Sequence, residues 1–363
     1  MVAIQQNYQV GQLGNGSGGL LPRALMALIK QQARKAEGEH RRRFETPDLL
    51  RPRLKGLSAG TVHYGLMISD LPAPHNVLSV MMMIGRAGVQ AFDNDTWLPG
   101  GRRHSAFLTT HTSAEGAHHY RQYDARGECD FQEDGSSLKW GGDLTITGPY
   151  PHYRVTGRYD GWGYDLRLDV TDALTRFIEM PIYHHMGLLA PYTGTITHQG
   201  ETVEVSGLGT WEYAYGFTPY QLVDLPGLAL PWDTFSYQVA VAGDTMLSFG
   251  VIEAKGIRGA HGLYERSLDG VTRGYPDSDF TVLEYQDERQ PNALGVPCRI
   301  PKTVHWQVRD ESGEPILDWT GHVDQPFVPG FGQGFIGAYR AEGTYRGRPF
   351  NDNVYCEYIN PSA

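Results

Sequence analysis

Glu212 lies in the run Gly207-Leu208-Gly209-Thr210-Trp211-Glu212-Tyr213-Ala214-Tyr215-Gly216, which closes an extended stretch beginning at Glu201. Three aromatics surround one carboxyl there. Side chains alternate between the faces of a strand, so Trp211, Tyr213 and Tyr215 share one side and Glu212 takes the other. An acid so placed is either a paired structural group or a tuned proton donor. A donor's chemistry would be general-acid catalysis, the delivery of a proton to a bound substrate. That step needs a carboxyl kept neutral near pH 7, and burial among apolar groups raises a carboxyl pKa in that direction. Positive charge that such a protonation creates is stabilised by π-faces, which aromatic walls supply. The plainer reading, in which Glu212 pairs with an arginine or caps backbone amides, stays open beside it.

The pattern returns near the end of the chain. Tyr192-Thr193-Gly194-Thr195 leads through a turn at Gly200 to Trp211-Glu212-Tyr213, and Glu342-Gly343-Thr344 leads through Gly347 to Tyr355-Cys356-Glu357-Tyr358. The starts echo more weakly, His63-Tyr64-Gly65-Leu66-Met67 against Ser236-Tyr237-Gln238-Val239-Ala240. This predicts two similar β units in tandem, each ending in a Glu-Tyr strand. Glu357, so close to the terminus, reads as structural. Trp211, Tyr213, Tyr215, Trp232 and Tyr237, together with His63 and Tyr64, are the residues expected to shape a cavity beside Glu212.

Other chemistries find little support. The pairs His118-His119 and His184-His185 would turn their rings to opposite faces of a strand, and His63, His104 and His111 have no ligand spacing. No metal is therefore expected. There is no Gly-x-Ser-x-Gly elbow. Gly14-Asn15-Gly16-Ser17-Gly18-Gly19 lacks the preceding strand and the lysine of a phosphate loop, and reads as a disordered arm.

The elements that must position these residues are mostly strands. The 45 glycines and 22 prolines among 363 residues imply many turns. Thr61 to Ser69, Asn76 to Gly85, Ser105 to Thr112, His118 to Asp124, Ser137 to Gly148 and His152 to Gly157 read as strands. Thr234 to Ala242 with Thr245 to Ala254, Thr303 to Arg309 with Pro315 to His322, and Gln333 to Gly343 with Pro349 to Ile359 read as hairpins. The one convincing helix spans Leu20 to Phe44, with Leu21, Leu25, Leu28 and Ile29 at helical spacing and Pro22 near its start. Its basic end, Lys30 to Arg43, is read mainly as a solvated tail, with weak contact of residues 20–44 with a membrane surface left open. Residues 217–232 read as a crossover between barrels, and Gly256 to Ser278 as an irregular lid.

A formal charge of −10, with only six lysines among 31 basic residues, argues against a nucleic-acid surface. Cys129, Cys298 and Cys356 fit no disulfide or zinc framework, and no window suggests a spanning helix or secretory leader, so a cytoplasmic home is expected.

The motif Tyr-x-Gly-Thr, turn glycine, then Gly207-x-Gly209-x-Trp211-Glu212-x-x-x-Gly216 resembles the central motif of lipocalin-like two-domain proteins of the carotenoid hydratase (hydroxyneurosporene synthase) type. Ala341 to Arg348 with Asn353 to Tyr358 is similar to that family's closing strand pair, and tocopherol cyclase and Diels–Alder-type lipocalin-like cyclases share the general architecture. The resemblance implies an all-β fold of two tandem lipocalin-like (calycin-like) antiparallel β-barrels with an N-terminal helical extension. The expected division is 1–54 for arm and helix, 55–216 for the first barrel and 217–363 for the second. It further implies cofactor-free hydration, dehydration or cyclisation of an apolar, isoprenoid-like small molecule, with Glu212 as general acid. One departure is that this chain has Glu212 directly after Trp211 where the family is expected to carry an aspartate. A non-catalytic carrier of hydrophobic small molecules is the alternative.

Overall fold

The computed structural model describes residues 19–41, 43–54, 60–86, 89, 91–92, 101, 103–180, 183–217 and 233–360. The glycine-rich arm, most of the 217–232 crossover and Trp232 lie outside the described residues.

Two antiparallel sheets curl into two lipocalin-like barrels. In the first, Glu201–Gly216 lies between Thr61–Ile68 and Tyr183–His198. In the second, Arg348–Ile359 lies between Thr234–Ala242 and Phe335–Tyr345. Each Glu-Tyr strand is thus flanked by the opening strand of its own unit and by its hairpin partner, which is the echo seen in the sequence. The second half of each strand is buried on two sides, because one face fills a barrel and the other meets the opposite barrel. Trp211, Tyr213, Leu66 and Leu188 pack inside the first barrel, and Phe249, Trp306, Trp319 and Tyr358 inside the second. A third apolar layer, including Met81, Phe107, Tyr237, Ile336 and Tyr355, joins the two.

Three elements differ from the sequence reading. The helix, α1, is Leu20–Ala33 followed by a short 3-10 turn at Arg34–Ala36. The chain then extends at Glu37 and turns through Gly38 (φ +81°) into the strand Gly38–His40, which pairs with Thr272–Tyr275. The buried side of α1 is Met26, Ile29 and Ala33, while Leu28 is 40% exposed. The supposed lid, Gly256 to Ser278, holds two strands, Ile257–Ser267 and Thr272–Tyr275; its glycines and charges look loop-like only until their buried partners are known. Ser137 to Gly148 is likewise split by a turn into Ser137–Trp140 and Leu144–Thr147, with Gly141 at φ +55°. No described helix is long and apolar enough to cross a membrane.

Asp70 sits where the barrels meet. Burial, opposed by backbone amides and the Tyr192 hydroxyl (3.4 Å), pushes its carboxyl up to about 6, with Asp352 of the other barrel adding to the rise. The folded state then holds a proton that the unfolded chain has lost, so stability falls as pH rises from 3.8 to about 6. Asp70→Asn is expected to stabilise the protein by about 1–3 kcal/mol above that window and by almost nothing below it. Urea unfolding at several pH values would measure this.

Candidate active site between the barrels

Strand alternation sends Glu212 out of the first barrel toward the second. Its register partners are glycines on both sides, Gly65 and Gly187, so no side chain stands beside it on its own sheet. The gap is used: a Cβ on Gly187 would lie 3.0 Å from Nη1 of Arg266, which reaches across from the second barrel. Glu212 is 1% exposed and Arg266 wholly buried. His185 Nε2 contacts Glu212 Oε2 at 3.1 Å, and the Tyr237 hydroxyl donates to Oε1. Tyr237 Oη lies 3.1 Å from Ser248 Oγ, and Arg266 Nη2 donates to Ser248 Oγ (2.7 Å) and Thr210 Oγ1 (2.9 Å). An imidazole and one phenol hydroxyl therefore contact the carboxyl, with the Arg266 cation behind them, joined to Tyr237 through Ser248.

Glu357, the echo of Glu212, emerges from the second barrel at the same cavity. Tyr237 is its register partner and shares its face. Its listener among hydrogen-bond donors is the Tyr355 hydroxyl, 3.1 Å from Oε1. The two environments drive the carboxyls apart. Burial acts most strongly on Glu212 and raises it, but His185, then Tyr237, then the Arg266 charge outweigh burial and hold the group below its ordinary value. Glu357 has burial first and the Glu212 charge second, both raising it, against the Tyr355 hydrogen bond alone, so it lies well above. The two carboxyls are thus moved in opposite directions from their ordinary value, the pattern that separates acid and base roles in a site.

His63 completes the polar end. Its Nδ1–H donates to the Met82 carbonyl (3.0 Å), which leaves Nε2 as the acceptor of a neutral ring. Burial, then the neighbouring His185, lower its pKa to about 4. Nitrogen NMR is expected to show a neutral Nδ1–H tautomer for His63 from pH 8 down to about 5; an imidazolium signal at pH 6.5 would contradict this.

The rest of the cavity, of about 150 Å³, is apolar. Met81, Met83 and Phe331 line it with Phe92, Phe235 and Ile178, and Leu25 and Leu28 of α1 lie at its edge. Phe92 packs edge-on to Phe235 (5.0 Å between centroids) and tilts on Phe331 (4.9 Å). No lysine or arginine is among the described lining residues. Among the described residues no group of histidines, cysteines and carboxylates is arranged to hold a metal ion.

Of the residues singled out in the sequence, Glu212, Tyr237 and His63 meet at this cavity. Trp211, Tyr213 and Tyr64 do not: they turn into the first barrel, where Trp211 stacks on Tyr153 and the Tyr64 and Tyr213 hydroxyls donate to the carbonyls of Leu50 and Arg51. Tyr215 lies on that side too, under the Arg53 guanidinium at 4.3 Å. Trp211, Tyr213 and Tyr215 cannot share a cavity with Glu212, because odd and even positions of a strand face opposite ways, and Tyr64, the register partner of Tyr213, takes the face of Tyr213. The echo between Tyr64 and Tyr237 is one residue out of register: Gly65 opposes Glu212 as Tyr237 opposes Glu357. The cavity's phenylalanines and Ser248 had no sequence signal; His185, met only as one of a histidine pair, joins Glu212 from the neighbouring strand of the same sheet, and Arg266, met only as part of the supposed lid, comes from the second barrel. Glu357 had one, its place in the repeat.

Fold and cavity together define a two-barrel, lipocalin-like protein with a small-molecule-sized site between its barrels. The chain belongs to DUF6670, a family of unknown function, whose sequence profile matches residues 81–363. No curated protein matches it in sequence. Among solved structures it is similar to a Nitrosomonas europaea protein provisionally assigned as AttH, at 13% identity and a TM-score of 0.58 over 87% of this chain and 96% of that one. It is also similar to kievitone hydratase from Nectria haematococca, at 12% identity and a TM-score of 0.54 over 88% and 93% of the two chains. At these identities the likeness is one of fold.

Proposed function

We propose that the protein hydrates, dehydrates or cyclises an apolar, isoprenoid-like small molecule without a cofactor, in the manner of the carotenoid hydratase type, and that Glu357 rather than Glu212 is the general acid. The observation that carries this is the pair of carboxyls on one apolar cavity, Glu212 held by His185 and Tyr237 and Glu357 by the Tyr355 hydroxyl alone. In the hydration direction the Glu357 proton forms a C–H bond at the alkene and leaves Glu357 a carboxylate. The carbocation is held by the Glu212 anion and by the faces of Phe92, Phe235 and Phe331. Water adds to the cation, and its surplus proton returns to Glu357, directly or through His63 Nε2, which closes the cycle. A hydratase among the structures of like fold is consistent with this chemistry. A carrier of hydrophobic molecules would use the same cavity, but it has no need of a buried carboxyl that holds its proton. On the same reading the chain divides into 1–54, 55–216 and 217–363, with Gly38–His40 clasping the first segment to the last.

The test is a mass-resolved incubation of the purified protein with uncharged isoprenoid alkenes and alcohols in water enriched in heavy oxygen. Label in the product establishes hydration, and a product of unchanged mass but new retention establishes cyclisation or isomerisation. Recovery of a tightly bound, chemically unaltered ligand would favour the carrier.

A further inference from the structure

His63 offers the cavity between the barrels an acceptor that no described group uses. Its Nδ1–H is committed to the Met82 carbonyl at 3.0 Å, so the free lone pair lies on Nε2, and burial together with the neighbouring His185 keeps the ring neutral. Nε2 has no hydrogen-bond partner among the described residues, yet it is not sealed in. The residue is half-buried and lines the cavity, whereas the equally unpartnered ring nitrogens of His111 are closed off in the interior. The strand keeps space beside it. Nε2 lies over Gly65, 3.1 Å from where a Cβ would stand, and Gly65 is the register partner of Glu212. The acceptor thus stands over the glycine gap next to the carboxyl, with the flexible end of Met67 as the gap's other neighbour at 3.0 Å.

The rest of the lining decides what can satisfy it. Each Glu212 oxygen already has a partner, Tyr237 on Oε1 and His185 on Oε2. No lysine or arginine is among the described lining residues to receive an anionic group, and the Glu212 charge repels one. An ammonium would bring three donors to one free acceptor, with Arg266 behind Ser248 and Tyr237. A single neutral donor on an apolar body fits both the polar end and the walls. We propose that the cavity recognises an uncharged ligand by a hydroxyl that donates to His63 Nε2, its hydrocarbon body lying against Met81, Met83, Phe92, Phe235 and Phe331. This rests on the reading of the cavity as a site for a small isoprenoid-like molecule, and adds the group by which that molecule is held. A ligand without the donor leaves Nε2 desolvated and unpaired, which weakens binding about ten- to hundredfold.

Equilibrium dialysis of the full chain at pH 8 against geraniol, geranyl methyl ether, geranic acid and geranylamine tests the proposal. Geraniol is expected to bind about ten- to hundredfold more tightly than the ether, which keeps the oxygen but has no donor, and more tightly than the acid or the amine. In His63→Phe, which retains an aromatic ring, the advantage of alcohol over ether is expected to vanish. Nitrogen NMR of the wild-type protein gives a readout that does not depend on the folding of that variant: geraniol is expected to shift the His63 Nε2 resonance and the ether to leave it in place. No measurable binding of geraniol, equal binding of alcohol and ether as when a water stays on Nε2, tighter binding of the acid or amine, or an Nε2 resonance that geraniol does not move would overturn the proposal. None of these readings uses turnover, so loss of the general-acid assignment with the alcohol preference intact would leave the recognition standing.

Discussion

Glu357→Gln is expected to lower turnover by about 10²–10⁴-fold, the usual contribution of a positioned general acid, and at the same time to make the protein more stable at neutral and alkaline pH. The two effects have one origin. Unfolded, Glu357 titrates near its ordinary value of 4.5; folded, burial and the Glu212 charge keep its proton on to much higher pH. Between those two values the folded state binds more protons than the unfolded chain, so wild-type stability declines as pH rises. Glutamine keeps the contact with the Tyr355 hydroxyl and never has to be charged, so the variant lacks the decline. Melting temperatures of the two proteins should converge near pH 4 and separate in favour of the variant by pH 8. A purely structural Glu357 would give the stability change with turnover intact.

Arg266→Leu is expected to destabilise the fold by about 3–5 kcal/mol at pH 7, as when one partner of a buried charge arrangement is removed. Arg266 holds Ser248 and Thr210 and supplies part of the positive potential that keeps Glu212 ionised. Without it the Glu212 carboxylate is buried beside apolar side chains with only His185 and Tyr237 to stabilise it. Acidification then relieves the variant, because protonating Glu212 removes the uncompensated charge, so its deficit should shrink from pH 7 to pH 5. The double variant Arg266→Leu/Glu212→Gln should recover much of the loss. Denaturant unfolding of the two single variants and the double gives the coupling directly, and simple additivity would mean that the two charges are independent.

Much of the fold was legible in the sequence because strand patterning is local. Ser105–Thr112, His118–Asp124, Thr234–Ala242, Thr245–Ala254 and Pro315–His322 have the bounds that alternation and turn residues imply. The repeated Glu-Tyr strand was legible too, and it marks the middle of each sheet. What was not legible is which face of a strand looks where. Trp211, Tyr213 and Tyr215 are the chemically suggestive neighbours of Glu212 along the chain, yet they are the residues that a period of two must turn away from it. Its true neighbours, His185, Tyr237 and the Arg266 relay, come from other strands, and Arg266 lies in a segment whose glycines and charges resemble a loop. Protonation was least legible of all. Glu212 and Glu357 occupy matching places in their repeats, and it is His185, Tyr237 and Arg266 beside the one, with only Tyr355 beside the other, that shift the two in opposite directions.

The central claim is that Glu357 carries a proton at neutral pH while Glu212 does not, and infrared spectroscopy of the carboxyl C=O stretch at pH 8 tests it directly. Wild-type protein is expected to show the band of a protonated carboxyl, Glu212→Gln to keep it, and Glu357→Gln to lose it. A band that survives Glu357→Gln but disappears in Glu212→Gln, or a wild-type spectrum without one, would contradict the assignment.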